Sequence, residues 1–152
     1  MSRKVIVQVK DLKVFLLEDG EVSWEAACST SKFGLGMEAG SYKTPLGYFT
    51  VSEKIGEGQP IFTIFKGRQP VGLWDANAGS REGDLILTRI LWLEGKEQKN
   101  ENTKERYIYF HGTNQEHLIG TPASHGCVRL TNKDMLKLFS YVEVGDIVEI
   151  IA

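Results

Sequence analysis

The chain has 152 residues, 41% hydrophobic and 25% charged, and Lys+Arg 18 against Asp+Glu 20 leaves a formal charge of −2. This length suits a single domain over residues 1–152, able to bury about 68–70% of its unfolded surface. The charge balance excludes both the basic surplus of a nucleic-acid binder and the charge excess of a disordered chain, and no apolar run approaches the ~18 residues of a membrane-spanning helix.

Taken in chain order, Arg3 and Lys4 are followed by Val5 to Val9, a stretch interrupted by Gln8 and closed by Lys10 and Asp11. It lacks the ~7–15-residue apolar core of a secretory leader, so the expected location is cytoplasmic; a trimmed piece of an exported protein would instead belong to the periplasm or cell wall. Val5, Val7 and Val9 alternate as a strand does, Lys13 to Leu17 forms a second, and Asp19-Gly20 supplies a two-residue hairpin turn before a third at Val22 to Cys28. Further strands are predicted at Gly47 to Lys54, Pro60 to Phe65, Asp84 to Leu93, Arg106 to Phe110 and Asp146 to Ile151, each bounded by turn-forming residues. The polar stretch from Glu94 to Arg106 shows no apolar face and is expected to be an exposed loop or a projecting hairpin tip, available as a lid. Thr131 is placed to cap a helix, with Asp134 three residues on, and Met135, Leu138, Phe139 and Val142 recur at helical spacing, which predicts one principal helix over Asn132 to Val142. The fold class is therefore mainly β with one helix.

The chemistry concentrates in YIYFHGTNQEHLIGTPASHGCVRLTNKD, where a strand ends at His111-Gly112 and a loop leads to Ser124-His125-Gly126-Cys127. A thiol titrates near 8.5 and an imidazole near 6.5, so a neighbouring histidine can accept the proton of Cys127 and make it a nucleophile. Gly126 lets the backbone turn sharply and aim consecutive N–H groups at one point, as an oxyanion hole requires. Two plainer readings compete. Cys127 is a small buried hydrophobe in one; in the other His111, His117, His125 and Cys127 hold zinc, although their spacing matches no paired Cys or Cys/His pattern. Cys28 reads as a packed core thiol, and His117 as a solvated loop residue. Trp24, Trp74 and Trp92 read as core or edge aromatics, with Trp92, just before the polar stretch, also a candidate cleft residue. Tyr107 and Tyr109 alternate with Ile108, and the sequence leaves open which face looks toward the site.

On these residues the sequence resembles the catalytic domain of the L,D-transpeptidases, the YkuD family. His111-Gly112, then Ser124-His125-Gly126-Cys127 with Arg129 two residues on, carry the resemblance. KTPLGYF at Lys43 to Phe49 and VEVGDIVEII at the C-terminus support it in order. Twelve residues separate His111 from Ser124, slightly fewer than is usual in the family, which bears on loop shape and substrate scope.

The resemblance implies a β-barrel or sandwich with one principal helix after the catalytic Cys loop. It implies Cys127 as nucleophile, His111 as its base and the Gly112 carbonyl as the group holding the imidazole tautomer. It gives the tetrahedral oxyanion to the backbone N–H groups of His125, Gly126 and Cys127, with Ser124 and the His125 side chain shaping the loop. Arg129 is expected either to pair with a substrate carboxylate or to brace the Cys loop. The implied substrates are peptidoglycan stem tetrapeptides or soluble muropeptides, cleaved between an L-centre (diaminopimelate) and D-Ala through a Cys127 thioester. No metal or other cofactor, no nucleic acid and no membrane is expected as a partner. Water resolving the thioester gives an L,D-carboxypeptidase of cytoplasmic muropeptide recycling; a second stem's amine gives 3→3 crosslinks by an exported L,D-transpeptidase. Carbapenem β-lactams are expected to acylate Cys127. The alternative from another class is a non-catalytic wall-binding or zinc-binding module.

Overall fold

The computed structural model describes residues 2–75, 77 and 83–152. Among them are ten strands and one α-helix: β1 (Arg3–Gln8), β2 (Lys13–Glu18), β3 (Glu21–Ala27), β4 (Gly47–Ile55), β5 (Thr63–Lys66), β6 (Gln69–Leu73), β7 (Ile86–Gly95), β8 (Tyr109–Gly112), β9 (Val128–Leu130), α1 (Asn132–Tyr141) and β10 (Ile147–Ile151). They form one sheet in the order β3-β2-β1-β10-β4-β7-β5-β6, from which β8 branches off β7 and β9 pairs with β8. Pairing is antiparallel except for β1 with β10 and β8 with β9.

Local chemistry accounts for most of these elements. Asp19 and Gly20 both take positive φ, at 52° and 83°, as a two-residue turn needs to match the twist of the strands it joins. Val5 and Val7 are buried while Lys4 and Ile6 are only partly so, and Val14 and Leu16 repeat the alternation across the ladder. These side chains meet Phe49, Val51, Leu91, Phe110, Val128 and Ile150 in one core. A single sheet whose distant strands share a core must curl on itself. The helix α1 closes that core with Met135, Leu138 and Phe139, and the Thr131 hydroxyl accepts the Asp134 N–H at 3.2 Å as its cap.

Three expectations are corrected and one unforeseen strand is added. The strand placed at Arg106 to Phe110 runs Tyr109–Gly112, because Tyr107 takes φ 57° in a turn and breaks the extended run. The strand placed at Pro60 to Phe65 begins only at Thr63, after Phe62 at φ 70°. β6 was not anticipated: every residue in it is exposed and Pro70 and Gly72 disfavour a strand, yet it pairs with β5 as an edge. The polar stretch after β7 is no projecting tip. Its Asn100 is fully buried and donates through Nδ2 to the Leu46 and Tyr48 carbonyls, both at 3.1 Å, while Arg106 donates to the Gly36 and Lys43 carbonyls. Hydrogen bonding, not an apolar face, folds this segment down, which hydrophobic periodicity cannot register.

Candidate active site

The ladder β7-β8-β9 builds the site. Leu91, Phe110 and Val128 lie opposite one another and point into the core. Their neighbours along each strand therefore face the other side: Ile90 and Trp92 from β7, Tyr109 and His111 from β8, and Arg129, opposite His111, from β9. One step before β9, Cys127 falls opposite Tyr109 and packs in a second apolar cluster with Phe65, Ile90, Tyr109 and Trp92. His111 and Cys127 thus share a face of two adjacent parallel strands, two residues apart in register. β9, not anticipated from the sequence, is what sets this register.

His111 is almost wholly buried, and its Nδ1 lies 2.5 Å from the Gly112 carbonyl oxygen. A carbonyl only accepts, so Nδ1 carries the proton and Nε2 keeps its lone pair. Burial pushes the imidazole below its usual range; the Asp84 carboxylate and the Gly112 carbonyl act in the opposite sense, and Arg129 adds to the lowering. Gly112 must be glycine for a packing reason: a Cβ there would lie 2.3 Å from Asn132 Oδ1 and 2.8 Å from the Leu87 carbonyl. Asn132 occupies that place because its amide donates to the Thr113 carbonyl at 2.8 Å while its Oδ1 accepts the Thr88 hydroxyl at 2.6 Å.

The Cys127 sulfur accepts the Tyr109 N–H and donates to the Tyr107 carbonyl, both at 3.4 Å. Burial pushes the thiol up to about 12, opposed by the Tyr109 N–H and the charges of Arg129 and Arg106 and assisted by Asp84. Burial thus favours the neutral thiol at Cys127. To give its proton to Nε2 the S–H must leave the Tyr107 carbonyl.

The loop before Cys127 is held from two sides. Ser124, fully buried, donates its hydroxyl to the Cys127 carbonyl at 2.6 Å and accepts the Gly126 N–H at 3.3 Å. Thr44, also fully buried, donates to the Gly126 carbonyl and accepts the Ser31 N–H, both at 3.0 Å. Because a trans peptide points its C=O and N–H in opposite directions, fixing the Gly126 carbonyl on Thr44 aims the Cys127 N–H away from it. Among the described residues, the His125 and Cys127 N–H groups donate no hydrogen bond. The Gly126 N–H is committed to Ser124, which corrects its place among the free oxyanion donors. Gly126 itself sits at φ 121°, within reach of Ile108 and the Lys43 carbonyl, a conformation open only to glycine.

Arg129 is the largest fully buried side chain; its Nη1 donates to Asp84 at 2.9 Å and to Gln115 at 2.8 Å. It has no surface to offer a substrate, so its place as a substrate-binding residue is withdrawn in favour of bracing. The His125 ring is exposed, 5.8 Å from Phe33 and 5.9 Å from Tyr42, with Nδ1 3.8 Å from Asp84. Trp92 donates its indole N–H to the Lys104 carbonyl at 3.1 Å and, with Lys104, Glu105 and Tyr107, lines a cavity of about 270 Å³. Tyr109 is the inward tyrosine and Tyr107 the exposed one. His117 lies exposed in a short turn, and among the described residues no three His, Cys, Asp or Glu side chains gather as metal ligands. Cys28 is fully buried in the core, which pushes its thiol up to about 12.

Asp84, Arg106 and the backbone of Tyr107 carry no signal in the sequence, and Thr44 stands in the Lys43 to Phe49 motif with no role evident there. Only the threonine stood in a recognisable motif; the others reach the site by pairing between segments far apart in the chain.

The sequence matches the L,D-transpeptidase catalytic domain (YkuD) over residues 2–150. This chain belongs to that family. Among curated proteins, the probable L,D-transpeptidase YbiS of Escherichia coli K12 is 50% identical over 46 residues, 30% of this chain and 15% of that protein. Among solved structures, an L,D-transpeptidase from Xylanimonas cellulosilytica superposes with a TM-score of 0.65 at 20% identity, covering 99% of this chain and 60% of that one. The L,D-transpeptidase LdtMt1 in complex with imipenem gives 0.63 at 19% identity, covering 99% and 59%. These superpositions bear out the mainly β, one-helix L,D-transpeptidase fold, and the chain spans three fifths or less of the length of these relatives.

Proposed function

We propose that this L,D-transpeptidase domain catalyses acyl transfer on peptidoglycan stem peptides through a Cys127 thioester. The observation that carries the reading is the shared face of His111 and Cys127, with Nδ1–H anchored on Gly112 and two unengaged N–H groups on the cysteine loop. As the sulfur adds to the carbonyl carbon at the L-centre, its proton moves to His111 Nε2, and the oxyanion is received by the His125 and Cys127 N–H groups. The C–N bond to D-Ala then breaks and His111 returns the proton to the departing amine. Water next adds to the thioester, giving a proton to His111 that ends on the released sulfur. The finer reading is therefore an L,D-carboxypeptidase trimming tetrapeptide to tripeptide, acting on soluble muropeptides in the cytoplasm.

A second reading, 3→3 crosslinking by a stem amine, is favoured by two cavities lined in part by residues of the apolar cluster that holds Cys127. Besides the cavity at Trp92, one of about 650 Å³ is lined by Phe65 and Ile86, which pack in the cluster that holds Cys127. Mass analysis of products from a defined disaccharide-tetrapeptide decides between them. Tripeptide with free D-Ala is expected, dimer without tripeptide selects crosslinking, and neither product rejects the acyl-transfer reading. Imipenem is expected to add to Cys127, with no adduct on a folded Cys127→Ala variant.

A further inference from the structure

The face that holds Cys127 carries a cation with no assigned task. Arg68 sits in the β5–β6 turn at φ 65°, directly after Gly67 at φ 56°. Glycine or asparagine would close such a turn with less strain, so the turn itself does not call for an arginine. Its guanidinium lies 4.8 Å from the Trp92 ring centroid and 5.3 Å from that of Tyr107, and Nη1 donates to the Tyr109 hydroxyl at 3.2 Å. Tyr107 and Tyr109 are the two residues whose backbone touches the Cys127 sulfur. Two aromatic rings and a hydroxyl thus hold the guanidinium against the two tyrosines whose backbone touches the Cys127 sulfur, and against Trp92 and Tyr107, which line the cavity described above.

No carboxylate among the described residues lies within 4.0 Å of it, and Glu53 is engaged by Lys104 at 3.1 Å. One of its five N–H donors is used. A fork held in place with its remaining donors open is suited to a planar anion.

We propose that Arg68 binds a free carboxylate of the peptide substrate and so places the scissile carbonyl against Cys127. The inference rests on the acyl-transfer reading for its substrate, but not for its charge preference. The carboxylate belongs either to the departing terminal residue or to the side chain of the residue bearing the attacked carbonyl. The two sources share one chemistry, and amidating each in turn separates them.

Two measurements on the full chain test the proposal. In the first, iodoacetate and iodoacetamide alkylate Cys127, with the site read by peptide mass. Arg68→Gln is expected to lower the iodoacetate-to-iodoacetamide rate ratio by about tenfold, and Arg68→Lys by less. A change below about twofold in Arg68→Gln, with folding intact by circular dichroism, overturns the proposal. This readout needs no peptide substrate, so it stands even if stem peptides are not turned over. In the second, Arg68→Gln is expected to raise KM for a tetrapeptide by about tenfold with kcat little changed. The same substitution should cost nothing on the peptide amidated at the recognised carboxylate. A penalty that persists on both amidated peptides also overturns it.

Discussion

Replacing Thr44 with valine keeps the shape of a fully buried side chain and deletes one hydroxyl. That hydroxyl serves two backbone groups, the Gly126 carbonyl and the Ser31 N–H, each at 3.0 Å. Both would be left buried without a partner, at about 1–3 kcal/mol each, so a loss of about 2–6 kcal/mol is expected. With a urea slope of about 2 kcal/mol/M, the unfolding midpoint should fall by about 1–3 M at unchanged slope. The functional consequence follows from the peptide plane: a freed Gly126 carbonyl no longer aims the Cys127 N–H. Acylation by imipenem, which passes through a tetrahedral oxyanion, should slow by about tenfold to a hundredfold. Alkylation by iodoacetamide, which forms no oxyanion, should hold its rate. Thr44→Ser keeps the hydroxyl and is expected to restore acylation. A Thr44→Val protein with the parent midpoint and parent acylation rate would refute the reasoning.

Three further outcomes are expected. In the unfolded chain His111 takes its proton at about 6.5 and the thiols lose theirs at about 8.5, whereas burial lowers the former and pushes Cys28 and Cys127 up to about 12. Stability should therefore be full between about pH 6.5 and 8.5 and decline on both sides. Urea midpoints across pH check this, and His111→Asn should flatten the acid decline. Gly112→Ala drives a Cβ into Asn132 Oδ1 and the Leu87 carbonyl; a loss of about 3 kcal/mol or more, or an insoluble product, is expected, and a parent-like melting temperature would contradict the packing. Asn100→Ala frees the segment after β7 from Leu46 and Tyr48; amide exchange over residues 96–106 should quicken, with about 2–3 kcal/mol lost, and unchanged exchange would show that the segment is held by something else.

Elements whose cause lies within a few residues were readable in advance. Asp19-Gly20 encodes its turn through φ, Val5 and Val7 encode a strand through alternation, and Thr131 encodes a helix start through one hydroxyl. The His-Gly and Ser-His-Gly-Cys segments named the chemistry because few other uses demand those residue types in that order. What stayed hidden depends on partners far away in the chain. β6 is a strand only because β5 offers it an edge, and the polar segment after β7 folds down only because Asn100 finds two carbonyls some fifty residues earlier. Arg129 looked like a substrate ligand and is a brace, since nothing in its neighbours along the chain announces Asp84 and Gln115. By itself the sequence singled out the candidate reacting groups; only the tertiary structure decided how they are aimed. Backbone preferences and side-chain chemistry act within a few residues, whereas the direction of an N–H group, the burial of a thiol and the company of a guanidinium are set by strand register.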